Sequence, residues 1–306
     1  MEPLRVGFVG YGEVGKIFTH ALAAQGLPWV GAWDLKFADP QLKAGELAHA
    51  EQHRVQACAS ARELAALASL VVSAVTASNA LAVARDVTQG IKPGTFFLDL
   101  NSASPGTKQQ AEALIEAAGG HYVEAGVMTS VPPYGIRVPM LLGGPRAAEL
   151  APRLAGLGMD VQVVSPQVGV ASATKMCRSI MIKGLEALVL ESYTTARHYG
   201  VEDAMIATLQ ETFPGIDWTR QGAYFFSRVA QHGKRRAEEM REVANTVREA
   251  GFEPFMASAI AQKHDWMAAQ ARAGNLPGTT AASPWQDYAD GLLAARDKAP
   301  ESDNRN

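Results

Sequence analysis

The chain has 306 residues, 47% of them hydrophobic and 19% charged, and a formal net charge of −3. That composition suits a globular protein able to bury one large or two medium cores, and it supplies no excess of positive charge for nucleic acid or an anionic membrane surface. Cys58 and Cys177 have no metal or redox spacing, the first residues lack a signal-peptide layout, and the apolar stretch Leu64 to Val75 is too short to span a bilayer; a cytoplasmic protein is expected.

The apolar run Arg5–Val9 predicts a first strand and ends in Gly10-Tyr11-Gly12-Glu13-Val14-Gly15. An amphipathic helix over Lys16–Gln25 follows at once, with Ile17, Phe18, Ala21 and Leu22 on one face. Strand, glycine turn and helix in that order form a dinucleotide-binding fingerprint: glycines let the backbone approach a pyrophosphate, and the helix N-terminus faces the anion. Asp34 closes the second strand, Trp29–Trp33, where an adenosine ribose needs an acceptor. Gly10 and Gly15-Lys16 also outline a triphosphate-binding loop, but Ile17 stands where a hydroxyl must ligate magnesium. The cofactor expected is therefore NAD, favoured by the Asp34 carboxylate, with NADP left open by Lys36.

Further along, Ala61–Leu67 reads as a helix, Leu70–Val75 as a strand buried on both faces, and Asn79–Gln89 as a helix. Thr95–Leu100 is a strand ending at Asp99, and Pro105–Ala118 a helix that Ser104 can cap. His121–Val127, Pro139–Leu142 and Asp160–Val164 read as the last strands. Beyond Ser165 the periodicity turns wholly helical: Val168–Thr194, Val201–Thr212, Thr219–Ala250 with a break expected near Gly233, Pro254–Gln270 and Pro284–Arg296. The fold class expected is α/β, a doubly wound Rossmann-type parallel sheet followed by an all-α C-terminal domain. Its domains are a nucleotide-binding domain over 1–165, a helical substrate and dimerisation domain over 166–298, and a disordered tail over 299–306.

In such a sheet, ligands bind beyond the carboxyl ends of the strands. Thr76 and Ser78 lie in one such segment, and Asn101, Ser102 and Ser104 in another. Ser78 and Ser104 can equally be helix caps; Asn101 and Ser102, directly after an apolar strand, are the stronger candidates for touching ligand. Lys175 sits in a small, apolar helix with Arg178, Ser179 and Lys183 near the same face. Desolvation and neighbouring cations would lower its pKa toward a proton-transfer role, whereas snorkelling to solvent would leave it ordinary. The basic run His232-Gly233-Lys234-Arg235-Arg236 reads as a solvated helix face or as an anion site. His49 and His53 share a helical spacing, but Glu51 is misplaced for a zinc-protease motif and no third ligand stands out, so no metal is expected.

Taken together, these segments resemble the β-hydroxyacid dehydrogenase family, which includes 6-phosphogluconate and 3-hydroxyisobutyrate dehydrogenases. The resemblance covers roughly residues 4–200 well and the rest loosely. Gly10, Tyr11, Gly12, Glu13, Val14 and Gly15 match its cofactor turn, Asp99 to Pro105 its D-x-S-T-x-x-P segment, and Gly169 to Ser179 its G-x-G-x-x-x-K-x-x-N-N helix. The resemblance places Lys175 on the family's catalytic lysine, and its retention implies an alcohol rather than an imine as substrate. Ser102 and Asn101, with Ser130, Ser179 and Lys183, become candidates for orienting substrate; His232 and Arg235 become candidates for its anionic end; Thr76 joins the cofactor set. The substrate loop departs from the family: Glu124 to Pro133 replaces D-x-x-V-S-G-G, Arg178 and Ser179 replace the asparagines, and Glu238-Glu239-Met240 only approximates the K-D-L segment.

The implied activity is NAD(P)-dependent oxidation of a small 3-hydroxy acid or related alcohol, or reduction of the carbonyl, by a homodimer or higher homo-oligomer. Oxidative decarboxylation of a phosphorylated sugar acid, and NAD sensing without turnover, are the alternatives.

Overall fold

Strand β1 (Arg5–Val9) is apolar because it is covered on both faces. Phe8 points to one core with Phe18 and Leu22, while Val9 joins the opposite core with Leu64 and Val71. Gly7 faces the same core as Val9, where a Cβ would strike Leu64 Cδ2 at 2.6 Å, so the helix carrying Leu64 presses directly on the strand. Two cores sandwiching one sheet define a doubly wound architecture.

The computed structural model describes residues 4–298. After β1 come α1 (Glu13–Ala24), β2 (Trp29–Trp33), α2 (Lys43–Gln52), β3 (Gln56–Ala57) and α3 (Ala61–Leu67). Next are β4 (Leu70–Ser73), α4 (Ala80–Thr88), β5 (Phe96–Asp99), α5 (Pro105–Ala117) and β6 (His121–Val127). The sheet is completed by β7 (Met140–Gly143), α6 (Ala147–Gly156) and β8 (Val161–Ser165), in the order β3-β2-β1-β4-β5-β6-β7-β8. The order reverses between β1 and β4, which places the ligand crevice of a sheet of this kind beside their carboxyl ends.

One expectation needs correcting: the sheet is not wholly parallel, because β6 and β7 pair antiparallel, with Val127 opposite Met140. Residues 128–139 contain only a short 3-10 turn at Gly135–Arg137 and no crossover helix. A parallel return needs a crossover, whereas an antiparallel one needs only a loop. Two helices also escaped the pattern. In α2 only Ala50 is buried, which leaves little periodicity, and α6 holds Pro152 inside it.

The remaining elements are α7 (Val170–Tyr199), α8 (Glu202–Thr212), α9 (Trp218–Glu249), α10 (Phe255–Arg272) and α11 (Trp285–Lys298). The chain divides into two compact units: one runs to Cys177 and includes Arg248–Gly251; the other comprises Arg178–Val247 and the chain from Phe252 onward. Helix α7 therefore contributes its first turns to one unit and the rest to the other. The second unit has its own core of Tyr193, Phe226, Trp285 and Tyr288. Gly222 admits it, since a Cβ there would meet Tyr193 Cε2 at 2.7 Å. The break expected at Gly233 does not occur: α9 is continuous, and this glycine lets α10 approach, with a Cβ only 2.7 Å from the His264 carbonyl oxygen. Among the described residues no helix is long and apolar enough to cross a membrane. The tail expected over 299–306 lies outside the described residues.

Candidate active site

The glycine turn is dictated by contacts that a side chain would forbid. Gly10 adopts φ +102°, donates its N–H to the Trp33 carbonyl at 2.9 Å, and would place a Cβ 2.4 Å from the Ala74 carbonyl oxygen. A Cβ on Gly15 would lie 2.0 Å from the Gly10 carbonyl oxygen, so the start of α1 sits tight on the turn. Gly12 differs: its Cβ would meet nothing within 4 Å. The turn is closed beneath and open at Gly12, where the first-turn amides of α1, reaching through Glu13, Val14 and Gly15, are aimed along the helix axis. That is a cradle for a pyrophosphate.

Asp34, at the end of β2, is bound to this turn. Its Oδ2 accepts the Tyr11 N–H at 2.6 Å and its Oδ1 the Lys36 N–H at 3.0 Å. The Tyr11 side chain is wholly buried beneath the turn, its hydroxyl 3.0 Å from His49 Nδ1. Burial raises its phenol pKa. Tyr11 thus serves the turn through its backbone. Among the described residues no group of three or more His, Cys, Asp or Glu side chains is placed to hold a metal ion, and the His49 and His53 rings meet at a tilt of 48° with centroids 4.4 Å apart.

On the other side of the crevice, β4 and β5 deliver the polar segments singled out from the sequence. Thr76 Oγ1 accepts from Asn79 Nδ2 at 2.9 Å and contacts Ser78 Oγ at 3.1 Å, so these hydroxyls organise their own turn. Asn101 is 3% exposed and acts as a strut: its Oδ1 accepts the Val75 N–H at 2.7 Å and its Nδ2 donates to Ser73 Oγ at 2.9 Å. It ties the ends of β4 and β5 together rather than reaching outward. Ser102, the next residue, accepts a hydrogen bond from Lys175 Nζ at 2.5 Å. Two sequence-predicted residues 73 positions apart are thereby brought together.

Further buried contacts support this pair. Lys108 and Asp99, each 1% exposed, form an ion pair at 2.9 Å, and the same ammonium donates to the Asp99 carbonyl. Asp99 also accepts the Asn101 N–H at 2.8 Å and the Tyr122 hydroxyl at 2.7 Å. Burial first, and then the Asp99 charge, drive the Tyr122 phenol pKa far upward, so it stays a donor. Glu124, wholly buried on β6, accepts the N–H groups of Gly169 at 2.7 Å and Ala171 at 2.9 Å, which anchors the N-terminus of α7 and with it Lys175. Gly126 completes the seat: a Cβ there would lie 3.0 Å from the Ala171 carbonyl oxygen. The sequence marks Glu124 as a carboxylate inside an apolar strand and as the start of the altered substrate loop, and neither signal shows this anchoring role. Ser104 caps α5 and donates to Glu249 Oε1 at 2.7 Å, and Glu249 Oε2 accepts the Gly106 N–H. Ser130 follows β6 and is half-buried.

Ser179, Lys183, His232 and Arg235 belong to the second unit. Lys183 donates to Ser179 Oγ at 3.2 Å and pairs with Glu239 at 3.0 Å, and Arg235 approaches the same Glu239. His232 is half-buried. The buried member of the basic run is Arg236, not Arg235: its guanidinium grips both oxygens of Glu186, with Nε 2.8 Å from Oε2.

Comparison with known proteins agrees with this geometry. Residues 5–148 match the NAD binding domain of 6-phosphogluconate dehydrogenase, and residues 196–267 match a domain of unknown function, DUF1932. A conserved hypothetical protein from Sinorhizobium meliloti 1021 is 34% identical, over 96% of this chain and 97% of that chain, with a TM-score of 0.77. A second solved structure, the conserved protein MTH1747, described as structurally similar to 3-hydroxyacid dehydrogenases, is 30% identical over 88% of this chain and 98% of that one, with a TM-score of 0.68. The chain belongs to the β-hydroxyacid dehydrogenase family, in a divergent branch. The 3-hydroxyisobutyrate dehydrogenase of Mycobacterium tuberculosis shares the fold at 17% identity, over 96% of this chain and 100% of that one, with a TM-score of 0.70. Within this family, residues 5–148 form an NAD(P)-binding domain.

Proposed function

We propose that the protein oxidises a small 3-hydroxy acid or related alcohol, or reduces the corresponding carbonyl, with Lys175 as the proton-transfer group. The observation that carries this reading is the 2.5 Å hydrogen bond from Lys175 Nζ to Ser102 Oγ at the carboxyl end of β5, on the same sheet edge as the glycine turn. Gly10, Gly12 and Gly15 would hold the cofactor's pyrophosphate, and Asp34 a hydroxyl of its adenosine ribose. When bound, NAD(P) supplies hydride acceptance and donation. The chain's own residues handle the proton: Lys175 takes it from the substrate hydroxyl, or returns it to the carbonyl oxygen, while Ser102 orients both. Glu124 holds the helix that carries Lys175, and Asn101 fixes the loop that carries Ser102.

We further propose the division of labour expected from the sequence, a nucleotide-binding domain over 1–165 and a helical substrate and dimerisation domain over 166–298. The retained lysine and serine argue against a purely sensory protein. A phosphorylated acid is less well supported, because Lys183 and Arg235 both approach Glu239 and Arg236 is held by Glu186. The test is to incubate the protein with NAD or NADP and a panel of hydroxy acids while following absorbance of the reduced cofactor. Lys175→Ala should lower turnover by about 10²–10⁴-fold, the usual contribution of a general acid–base, with cofactor affinity unchanged. Undiminished turnover in that variant would remove Lys175 from the mechanism.

A further inference from the structure

Beside Asp34 lies a charge arrangement that the dinucleotide fingerprint does not require. Lys16, in the first turns of α1, and Lys36, just past Asp34, both turn to Glu46 on α2. Lys16 Nζ lies 2.7 Å from Oε2 and Lys36 Nζ 3.7 Å from Oε1. Glu46 is only 15% exposed, against 29% for Lys16 and 37% for Lys36, so the carboxylate is the inner member of the trio. Burial opposes its charge, but the Lys16 hydrogen bond and the Lys36, Lys16 and His49 charges outweigh that and hold its pKa below the usual range. Glu46 is an anion at working pH.

Asp34 sets the scene for the ribose. A carboxylate has about four acceptor positions, and Asp34 uses one on each oxygen for Tyr11 N–H and Lys36 N–H. The remaining capacity suits hydroxyl donors, which is what an unphosphorylated ribose presents. A 2′-phosphate brings no donor and two negative charges. It meets Asp34, and the two nearby ammonium groups that could bind it are already held by Glu46.

We propose that Glu46 is a specificity-determining residue that selects NAD over NADP by keeping Lys16 and Lys36 engaged. This rests on the reading of Gly10–Gly15 as the cofactor turn. With Glu46 neutral, the same two lysines become a 2′-phosphate clamp, and the preference moves toward NADP.

Affinities of the full-length protein for NAD and for NADP, measured by calorimetric titration without substrate, test this directly. Glu46→Gln should tighten NADP by about tenfold relative to NAD, the size expected when one like charge is removed near a bound phosphate. NAD affinity should shift by under about threefold, since a hydroxyl does not draw on the lysines. Lys36→Met alone should leave the ratio nearly unchanged, and combined with Glu46→Gln it should cancel most of the gain. An unchanged NADP-to-NAD ratio in Glu46→Gln, or equal weakening of both, overturns the assignment to Glu46 while leaving the cofactor turn intact. Failure of the unsubstituted protein to bind either cofactor would overturn the turn reading and this inference with it.

Discussion

Each unit buries a carboxylate against a cation, Asp99 with Lys108 in one and Glu186 with Arg236 in the other, and the two pairs are finished differently. Around Asp99 both carboxylate oxygens are answered, by Lys108, the Asn101 N–H and the Tyr122 hydroxyl. Around Glu186 the guanidinium fork is in place, but His264 stands 3.7 Å away with neither ring nitrogen hydrogen-bonded. Burial, then the Arg236 and Lys183 charges, push the His264 pKa down to about 3. A closed cluster fixes geometry, and here it fixes the loop that presents Ser102. An open one keeps a group that can still take up a proton.

Three experiments break or sharpen that contrast. Lys108→Met strands the Asp99 charge with two neutral donors, and loss of one partner of a buried pair is expected to reduce stability by about 3–5 kcal/mol in urea denaturation. A loss under about 1 kcal/mol would show that the closed cluster is not a support. Arg236→Met strands Glu186 as well, but His264 can become its cation. The expected loss is smaller, about 2–3 kcal/mol, with the His264 ring titrating upward by NMR. A loss matching Lys108→Met, with His264 still neutral, would erase the distinction.

The smallest effect is one of pH. In the folded protein His264 stays neutral to about pH 3, whereas unfolded it takes a proton below about 6.5. The unfolded chain therefore binds more protons in that window, so stability falls as the pH drops through it, by about 1.4 kcal/mol per unit. His264→Gln should remove about 2 kcal/mol of the decline between pH 6.5 and 5, read from denaturation midpoints at both values. A variant with an identical slope would clear His264 of the acid sensitivity.

The parts of the fold that read cleanly from the sequence are those where local chemistry and tertiary demand coincide. The strand and glycines of residues 5–15 are such a place, because the same Cβ-free positions that make the turn also make the cradle. Ala61–Leu67 and His121–Val127 fall on the expected limits, since caps and burial there are strong. The antiparallel β7 was hidden because strand direction lies in the connection and not in the strand's own residues. Gly233 misled for a related reason: its missing side chain serves a neighbour, α10, that local sequence does not reveal. In the site, a position directly after an apolar strand points to Ser102 and family resemblance to Lys175, while their contact is visible only in the fold. The anchoring role of Glu124 is not legible in the sequence, because its partners are backbone amides of residues far along the chain. Asn101 was found for the wrong reason: polarity after an apolar strand indicates a ligand or a strut equally well, and only its two buried hydrogen bonds decide.

Glu249 bears on the order in which this protein can be made. Its carboxylate accepts from Ser104 and from Gly106 at the start of α5, residues emerging from the ribosome 145 and 143 positions earlier. The α5 terminus beside the Ser102 loop therefore waits for most of the chain to be synthesised before it is finished. A nascent segment carrying the whole sheet still leaves that terminus to water. Translation must pass Glu249 before the nucleotide-binding unit holds all its native bonds.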